Sequence, residues 1–197
     1  MSQNATTTTM EPRLSPEPAA DRDLARRLAR CEAGSFEELV ELHGEAVART
    51  ARGLLGWRGD IDDVVQDVFV VALEKSPRFR GHCSLRTWLT VITLNRCRTY
   101  HRRQTIWRRV SKVFMGHATE SPAADSAGLE DETARAVRTA VASLAQADRE
   151  VVVLNYFEHK SAAQIGELLG ASQNAVEVRL HRARGKLRLM LRAFLEE

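Results

Sequence analysis

Apolar residues return every three or four positions along almost the whole chain after residue 20, and no sustained two-residue alternation competes with them. The series runs Leu24 and Leu28; Phe36, Leu39, Val40 and Val47; Ile61, Val64, Val65, Val68, Phe69 and Ala72; Leu85, Trp88, Leu89 and Ile92; then Ile165, Leu168 and Leu169. That spacing places one apolar stripe on each of a succession of helices and leaves no strand to build a sheet. The pattern breaks between Lys75 and Ser84, where Pro77 and Gly81 predict a loop. It breaks again over 119–133, which holds Pro122, Gly128 and the acids Glu120, Asp125, Glu130, Asp131 and Glu132. The expectation is an all-α fold with two small helical domains, 21–104 and 134–197, joined by a flexible linker over 105–133. A polar N-terminal tail over 1–20, with Pro12, Pro16 and Pro18, precedes them.

Composition narrows the setting. Of the 197 residues 44% are hydrophobic, which permits a buried core, and a net charge of only +3 leaves local basic clusters to act on phosphates. Cys31, Cys83 and Cys97 form no Cys-x-x-Cys pair, so a disulfide framework is not expected and a reducing compartment is. His82 beside Cys83 is read as an ordinary loop pair rather than a metal or redox site. No apolar run approaches the roughly 20 residues a membrane helix requires, and the N-terminus lacks the apolar centre of a signal peptide. A cytoplasmic protein without membrane insertion is expected.

The segment Lys160 to Arg192 carries the sharpest local signals. Ser161 followed by Gln164 is a capping box, in which each side chain satisfies a free backbone donor at a helix start. Gly170 falls where a helix ends on a left-handed residue, and Ser172 can cap the next helix. On that second helix Val176, Leu180, Ala183, Leu187 and Met190 share one side, while Gln173, Glu177, His181, Arg184 and Arg188 share another, flanked by Asn174 and Arg182. Between Ala175 and Arg192 there are six Lys/Arg and one acid. A short helix, a tight turn and a longer helix with a basic outer face form a helix-turn-helix, whose second helix fits the major groove.

The N-terminal half presents two contrasting faces. Opposite the apolar stripe of Asp60 to Glu74 lie Asp63, Gln66, Asp67 and Glu74. Asp60 and Asp62 do not face the same way on a helix, and no calcium-loop glycine follows, so a protein-binding face is favoured over a metal cluster. Beyond the loop Ser84 can cap a further helix. From Arg96 to Lys112 seven Lys/Arg (96, 98, 102, 103, 108, 109 and 112) occur with no acid, interleaved with Tyr100, His101 and Trp107. Cations bind phosphates and aromatic rings stack on unpaired bases, worth about 1–3 kcal/mol per base. Trp88 is read as core rather than as a base platform. No catalytic constellation, phosphate-cradling glycine loop or zinc spacing stands out, so neither enzyme activity nor a cofactor is expected.

Several of these runs together resemble a known family. Asp62-Asp63-Val64-Val65-Gln66-Asp67-Val68-Phe69, Phe79-Arg80-Gly81, Thr87-Trp88-Leu89 and Asn95-Arg96-Cys97-Arg98 resemble domain 2 of the extracytoplasmic-function sigma factors, the small members of the sigma-70 family. Asp148-Arg149-Glu150-Val151-Val152, Ala163 to Gly170 and Arg179-Leu180-His181-Arg182-Ala183-Arg184 resemble their domain 4. The resemblance implies a factor that binds core RNA polymerase, directs it to promoters and promotes melting. It implies docking on a coiled coil of the largest subunit through Asp62, Asp63, Gln66, Asp67 and Phe69. It implies −10 contacts by Phe79, Arg80, His82 and Ser84, lining a pocket for a flipped base, with Asn95, Arg96, Arg98, Arg102 and Arg103 holding the adjacent strand. It implies −35 contacts by Ser172, Asn174, Glu177, Arg179, His181, Arg182 and Arg184, and an anti-sigma factor as a further partner. At Glu177 the family usually carries Lys or Arg; a carboxylate repels phosphate but can accept from cytosine.

Two other readings stay open at this point. A helix-turn-helix regulator acting without polymerase explains the C-terminal half but leaves the acidic face and the second basic cluster unused. The other is a nucleic-acid enzyme built around the aspartates near position 60, which metal-dependent cleavage that disappears on Asp62→Ala would favour.

Overall fold

The computed structural model describes residues 19–57, 61–115 and 132–194. Of the expected tail only 19–20 fall within these bounds, and of the expected linker only 105–115 and 132–133; Asp60 also lies outside them. Every regular element among the described residues is helical. They run α1 (Ala19–Ala29), α2 (Ser35–Leu55), α3 (Ile61–Lys75), α4 (Leu85–Met115), α5 (Glu132–Ser143), α6 (Gln146–Tyr156), α7 (Ala162–Leu169) and α8 (Gln173–Met190). Short 3-10 turns cover Ser76–Arg78 and Arg192–Phe194. The all-α expectation holds. The helix boundaries differ in two places: α4 continues to Met115, well into the stretch read as linker, and α5 opens at Glu132 rather than at 134.

The apolar stripes pack as their spacing dictates. Leu39 and Val47 of α2, Val68 and Phe69 of α3, and Leu85, Trp88, Leu89 and Ile92 of α4 fill one core, closed by Leu24 and Leu28 of α1. Phe36 meets the edge of Phe69 with ring centres 6.4 Å apart. Ser76 Oγ donates to the Leu28 carbonyl at 3.3 Å and so ties α1 to the turn after α3. Helix α2 stops at Gly56, whose left-handed φ of 74° lets its amide reach the Arg52 carbonyl.

The C-terminal helices close only a small core of their own, Leu144, Val152 and Ala183 with Leu187 packed against them. Val151, Val153 and Leu154 of α6, Ile165 of α7, and Val176 and Leu180 of α8 run into one continuous cluster with Ala51, Leu54, Leu55, Val64, Leu94 and Cys97 of the N-terminal half. Each such aliphatic side chain is worth about 1.5–3 kcal/mol when removed from water, so the two halves share part of their stability. Gly53 makes the approach possible. A Cβ there would sit 2.7 Å from the Phe157 ring and 3.0 Å from Val153.

Polar groups fix the angle at which the halves meet. Glu158 is only 4% exposed, and its carboxylate accepts from Thr50 Oγ1 at 2.6 Å, Arg86 Nε at 3.1 Å and Thr90 Oγ1 at 3.3 Å. Arg98 grips Glu150 through Nε at 2.8 Å and Nη2 at 2.6 Å, the bidentate geometry that suits a guanidinium. Lys160 Nζ donates to Thr87 Oγ1 at 3.0 Å, and Arg149 Nη1 to the Leu54 carbonyl at 3.1 Å. A buried ion pair returns little net stability because desolvation offsets attraction, but removing one partner costs about 3–5 kcal/mol. The apolar contacts therefore drive closure, and the ion pairs select one orientation.

A cavity of about 10 Å³, room for one water, lies between Glu158 and His43. His43 Nε2 is buried there without a hydrogen-bond partner. Burial holds its pKa below the ordinary histidine value; Asp21 opposes the shift and Arg86 adds to it. The folded state thus disfavours the proton, so stability should fall as the pH drops through about 6.5 towards the lowered value. Urea unfolding across this range should show that slope, and His43→Gln should flatten it; an unchanged slope would assign the loss to other groups.

Gly53→Ala supplies a second check with opposite local and global signs. Alanine favours helix α2 by about 1 kcal/mol, while overpacking against Phe157 costs about 1–3 kcal/mol. Far-ultraviolet circular dichroism should hold steady or rise while the radius of gyration from small-angle scattering increases. An unchanged radius would show that the seam absorbs the methyl group.

Candidate nucleic-acid interface

The helix-turn-helix forms as its caps direct. Ser161 Oγ accepts from the Gln164 amide at 3.3 Å while Gln164 Oε1 accepts from the Ser161 amide at 2.9 Å, completing the capping box. Gly170 ends α7 at φ 65°, and Ser172 Oγ accepts from the Ala175 amide at 3.2 Å to start α8. Gly166 keeps the turn tight, since a Cβ there would meet the Ala171 carbonyl at 2.6 Å. Val176, Leu180 and Ala183 face inward, Leu187 packs at the edge, and Met190 is half-exposed in a groove beside Ser143.

The outer face of α8 presents Ser172, Asn174, Glu177, His181 and Arg182, all exposed, with Arg179 half-buried. Gln173 Nε2 donates to Glu177 Oε1 at 2.8 Å, which orients the carboxylate. Arg184 is turned back towards α6: its Nε donates to the Tyr156 hydroxyl at 3.0 Å, and the guanidinium lies 5.7 Å from that ring centre. It braces α8 and stands apart from the other candidates.

On α3, Asp62, Asp63, Gln66 and Asp67 are exposed along one side. Phe69 departs from the expectation, being 4% exposed and packed in the core. Its position follows the apolar stripe 61, 64, 65, 68, 69 and 72, so it supports the polar face from behind and contacts nothing outside. Val70 and Leu73 are exposed on α3, 46% and 39%, beside the acids. Neither stands out in the sequence by charge or motif, although Val70 stands one turn beyond Gln66 and Asp67.

The loop and α4 form the third surface. Ser84 Oγ accepts from the Thr87 amide at 3.2 Å and caps α4. Arg80 and His82 are exposed, and Phe79 is half-buried against Trp88 with ring centres 4.8 Å apart. Trp88 is core, as read from sequence. Asn95, Arg102 and Arg103 are exposed and Arg96 is half-buried, with Trp107 70% exposed farther along the helix. Arg98 differs: its bond to Glu150 raises its pKa and commits it to the seam. The side chains of Arg108, Arg109 and Lys112 lie outside the described residues. Among the described residues no group of His, Cys, Asp or Glu is placed to hold a metal. Burial first, and Glu150 second, push the Cys97 thiol up to about 12, which leaves it inert.

The motif Asp148-Arg149-Glu150, singled out only by resemblance, acquires a physical reason. Asp148 accepts from Lys186 of α8 at 2.7 Å, Arg149 donates to the Leu54 and Leu144 carbonyls, and Glu150 receives Arg98. Three successive residues thus tie α6 to three different elements.

A helical protein with a capped helix-turn-helix at one end and a loop-and-helix cationic surface at the other has the build of a transcription initiation factor. The Sigma-70 region 2 family matches residues 39–106, and the Sigma-70, region 4 family matches 134–187. The chain is 36% identical over 190 residues to the RNA polymerase sigma factor CnrH of Cupriavidus metallidurans, covering 90% of this chain and 97% of that protein. It is 34% identical over 187 residues to the sigma factor NccH of Alcaligenes xylosoxydans xylosoxydans, with the same coverage. The solved structure of CnrH with the cytosolic domain of CnrY superposes with a TM-score of 0.62 at 33% identity, covering 88% of this chain and 98% of that one. RpoE of Bartonella quintana with the anti-sigma factor NepR shares the fold, with a TM-score of 0.66 at 23% identity over 80% of this chain and 96% of that one. The chain belongs to the sigma-70 family, as an alternative sigma factor of the extracytoplasmic-function group. Such a factor is not itself an enzyme.

The Ser172 cap gives this interface a simple check. Ser172→Ala should cost about 0.5–2 kcal/mol through the lost N-cap and lower the unfolding midpoint. Ser172→Asp should restore most of it, while an unchanged alanine variant would mean that water caps α8 equally well.

Proposed function

We propose that this sigma factor docks on the largest-subunit coiled coil of core RNA polymerase through Asp62, Asp63, Gln66 and Asp67, with Val70 as an apolar anchor beside them. The observation that carries this reading is an exposed acidic and apolar strip on α3, on the side away from the core, in a chain whose other two surfaces are cationic. A stand-alone helix-turn-helix regulator has no use for it. The loop residues Phe79, Arg80, His82 and Ser84 capture the −10 element, and Asn95, Arg96, Arg102 and Arg103 hold its non-template strand. Ser172, Asn174, Glu177, Arg179, His181 and Arg182 read the −35 element. Flipping a base costs a few kcal/mol, which a fitted pocket and phosphate contacts offset without ATP.

Closure and promoter binding exclude one another on size. Elements about 25 base pairs apart lie roughly 85 Å apart on a straight duplex at 3.4 Å per step. A compact chain of this length has a radius of gyration of about 16 Å and is roughly 40 Å across. The seam must therefore part for both elements to be engaged, and its opening frees Arg98 to join the strand-holding set. An anti-sigma protein is an expected partner, and the closed arrangement is the form it would favour. No helix among the described residues is long and apolar enough to cross a membrane, which fits action in the cytoplasm.

Two substitutions test the division of labour. Asp63→Arg should weaken binding to core polymerase at least tenfold, with duplex binding by α8 intact; full-strength core binding would remove α3 as the docking face. Arg182→Ala should lower the log–log salt slope of −35 duplex binding by about 0.9, the value of one phosphate contact. An identical slope would place Arg182 off the backbone.

A further inference from the structure

Helix α1 precedes the stretch matched by the Sigma-70 region 2 family, which begins at residue 39, and its surface has no assigned task. Its charges are sorted by side. Asp23 and Glu38 accept from Arg27 at 3.1 and 2.7 Å, and Glu32 lies 3.6 Å from Arg30. Those acids are compensated. Arg22 and Arg26 stand one turn apart on a different side, both exposed, with no ion pair among the described residues.

That second side faces a groove. Arg22, Ala25, Arg26 and Ala29 form one wall of a depression of about 400 Å³, and Phe79 with Arg80 of the loop forms the other. The walls are held in register: Leu24 and Leu28 are buried in the core, Ser76 bonds the Leu28 carbonyl, and Phe79 rests on Trp88. The floor thus offers a ring and two methyl groups, and the rim offers guanidinium groups. An apolar slot bounded by cations suits an unstacked base attached to an anionic backbone. Arginines at i and i+4 carry Cβ atoms about 5–6 Å apart, close enough to serve neighbouring phosphates. An acidic peptide would satisfy the rim but leave the apolar floor unfilled, and a stacked duplex presents no single base to it.

We infer that α1 is the second wall of the −10 strand site, with Arg22 and Arg26 binding phosphates of the melted non-template strand as its base enters beside Phe79. The inference rests on the −10 role proposed for the loop and adds to it a helix outside the matched region.

The test uses holoenzyme assembled from core polymerase and the full chain. The probe is a fluorescent single-stranded oligonucleotide copying the −10 region of a promoter mapped from transcripts this chain induces. The double variant Arg22→Ala, Arg26→Ala should lower the log–log salt slope by about 1.4, at roughly 0.7 per single-strand phosphate. The corresponding double lysine variant should restore most of it. Arg30→Ala, at a residue that pairs with Glu32 and does not line the groove, should leave it unchanged, and equal core affinity for all variants confirms intact folding. An unaltered slope in the double alanine variant, or an equal fall for Arg30→Ala, overturns the role of α1. If wild-type holoenzyme fails to prefer this oligonucleotide over a scrambled one, the −10 reading fails and the α1 wall with it. Wild-type preference with an unaltered double variant removes only α1.

Discussion

The contact between α2 and α6 governs how the rest of this molecule can behave. Gly53 allows the Phe157 ring to lie against the α2 backbone, and around that point the apolar side chains of both halves merge into one cluster. The buried Glu158 carboxylate then finds Thr50, Arg86 and Thr90 across the junction. Such an arrangement has two preferred conditions. Closed, the carboxylates of Glu158 and Glu150 are paired with Arg86 and Arg98; open, they return to water together. A partly open seam leaves a buried charge without its partner, which is the costly case. Partial opening is thereby disfavoured relative to a seam that is fully closed or fully open.

This property suits an initiation factor whose targets are separate stretches of DNA. Each half can carry its own recognition surface, exposed even in the closed form, yet only separation lets both surfaces reach one promoter. Coupling follows from mass action: a partner that binds only the open form sees its affinity reduced by the fraction of molecules that are open. A protein that embraces the closed form lowers that fraction further. Regulation then requires no change in the recognition surfaces themselves.

Much of the architecture was legible in the sequence because it is local. Ser161, Gln164, Gly170 and Ser172 set the helix-turn-helix through contacts three to five residues long, and each formed as its chemistry predicts. The stripes of α3 and α4 likewise announced their inner sides, including Trp88. Burial and partners remote in sequence account for the rest. The resemblance implies a docking role for Phe69, whereas its place in the stripe puts it inward, so periodicity is the better guide. Arg98 and Arg184, which the resemblance groups with DNA-facing cations, are held in the closed chain by Glu150 and Tyr156, remote in sequence. Glu158 drew no notice: nothing in Tyr156-Phe157-Glu158-His159 signals that Thr50, 108 residues away, will bury it. The exposed arginines of α1 likewise gain a meaning only from the groove that the fold forms beside Phe79.

The chain is expected to close on itself in isolation and to part on the promoter. Pulsed electron resonance between spin labels at Glu74→Cys and Glu167→Cys, in a chain whose exposed Cys31 is changed to Ser, addresses it directly. Both labelled positions are exposed, and Cys83 and Cys97 are buried beyond the reagent's reach. The free chain should give one narrow, short distance that lengthens by tens of ångströms in the complex with core polymerase and promoter DNA. A distance that is already long and broad in the free chain, or one that stays short in the promoter complex, would contradict it.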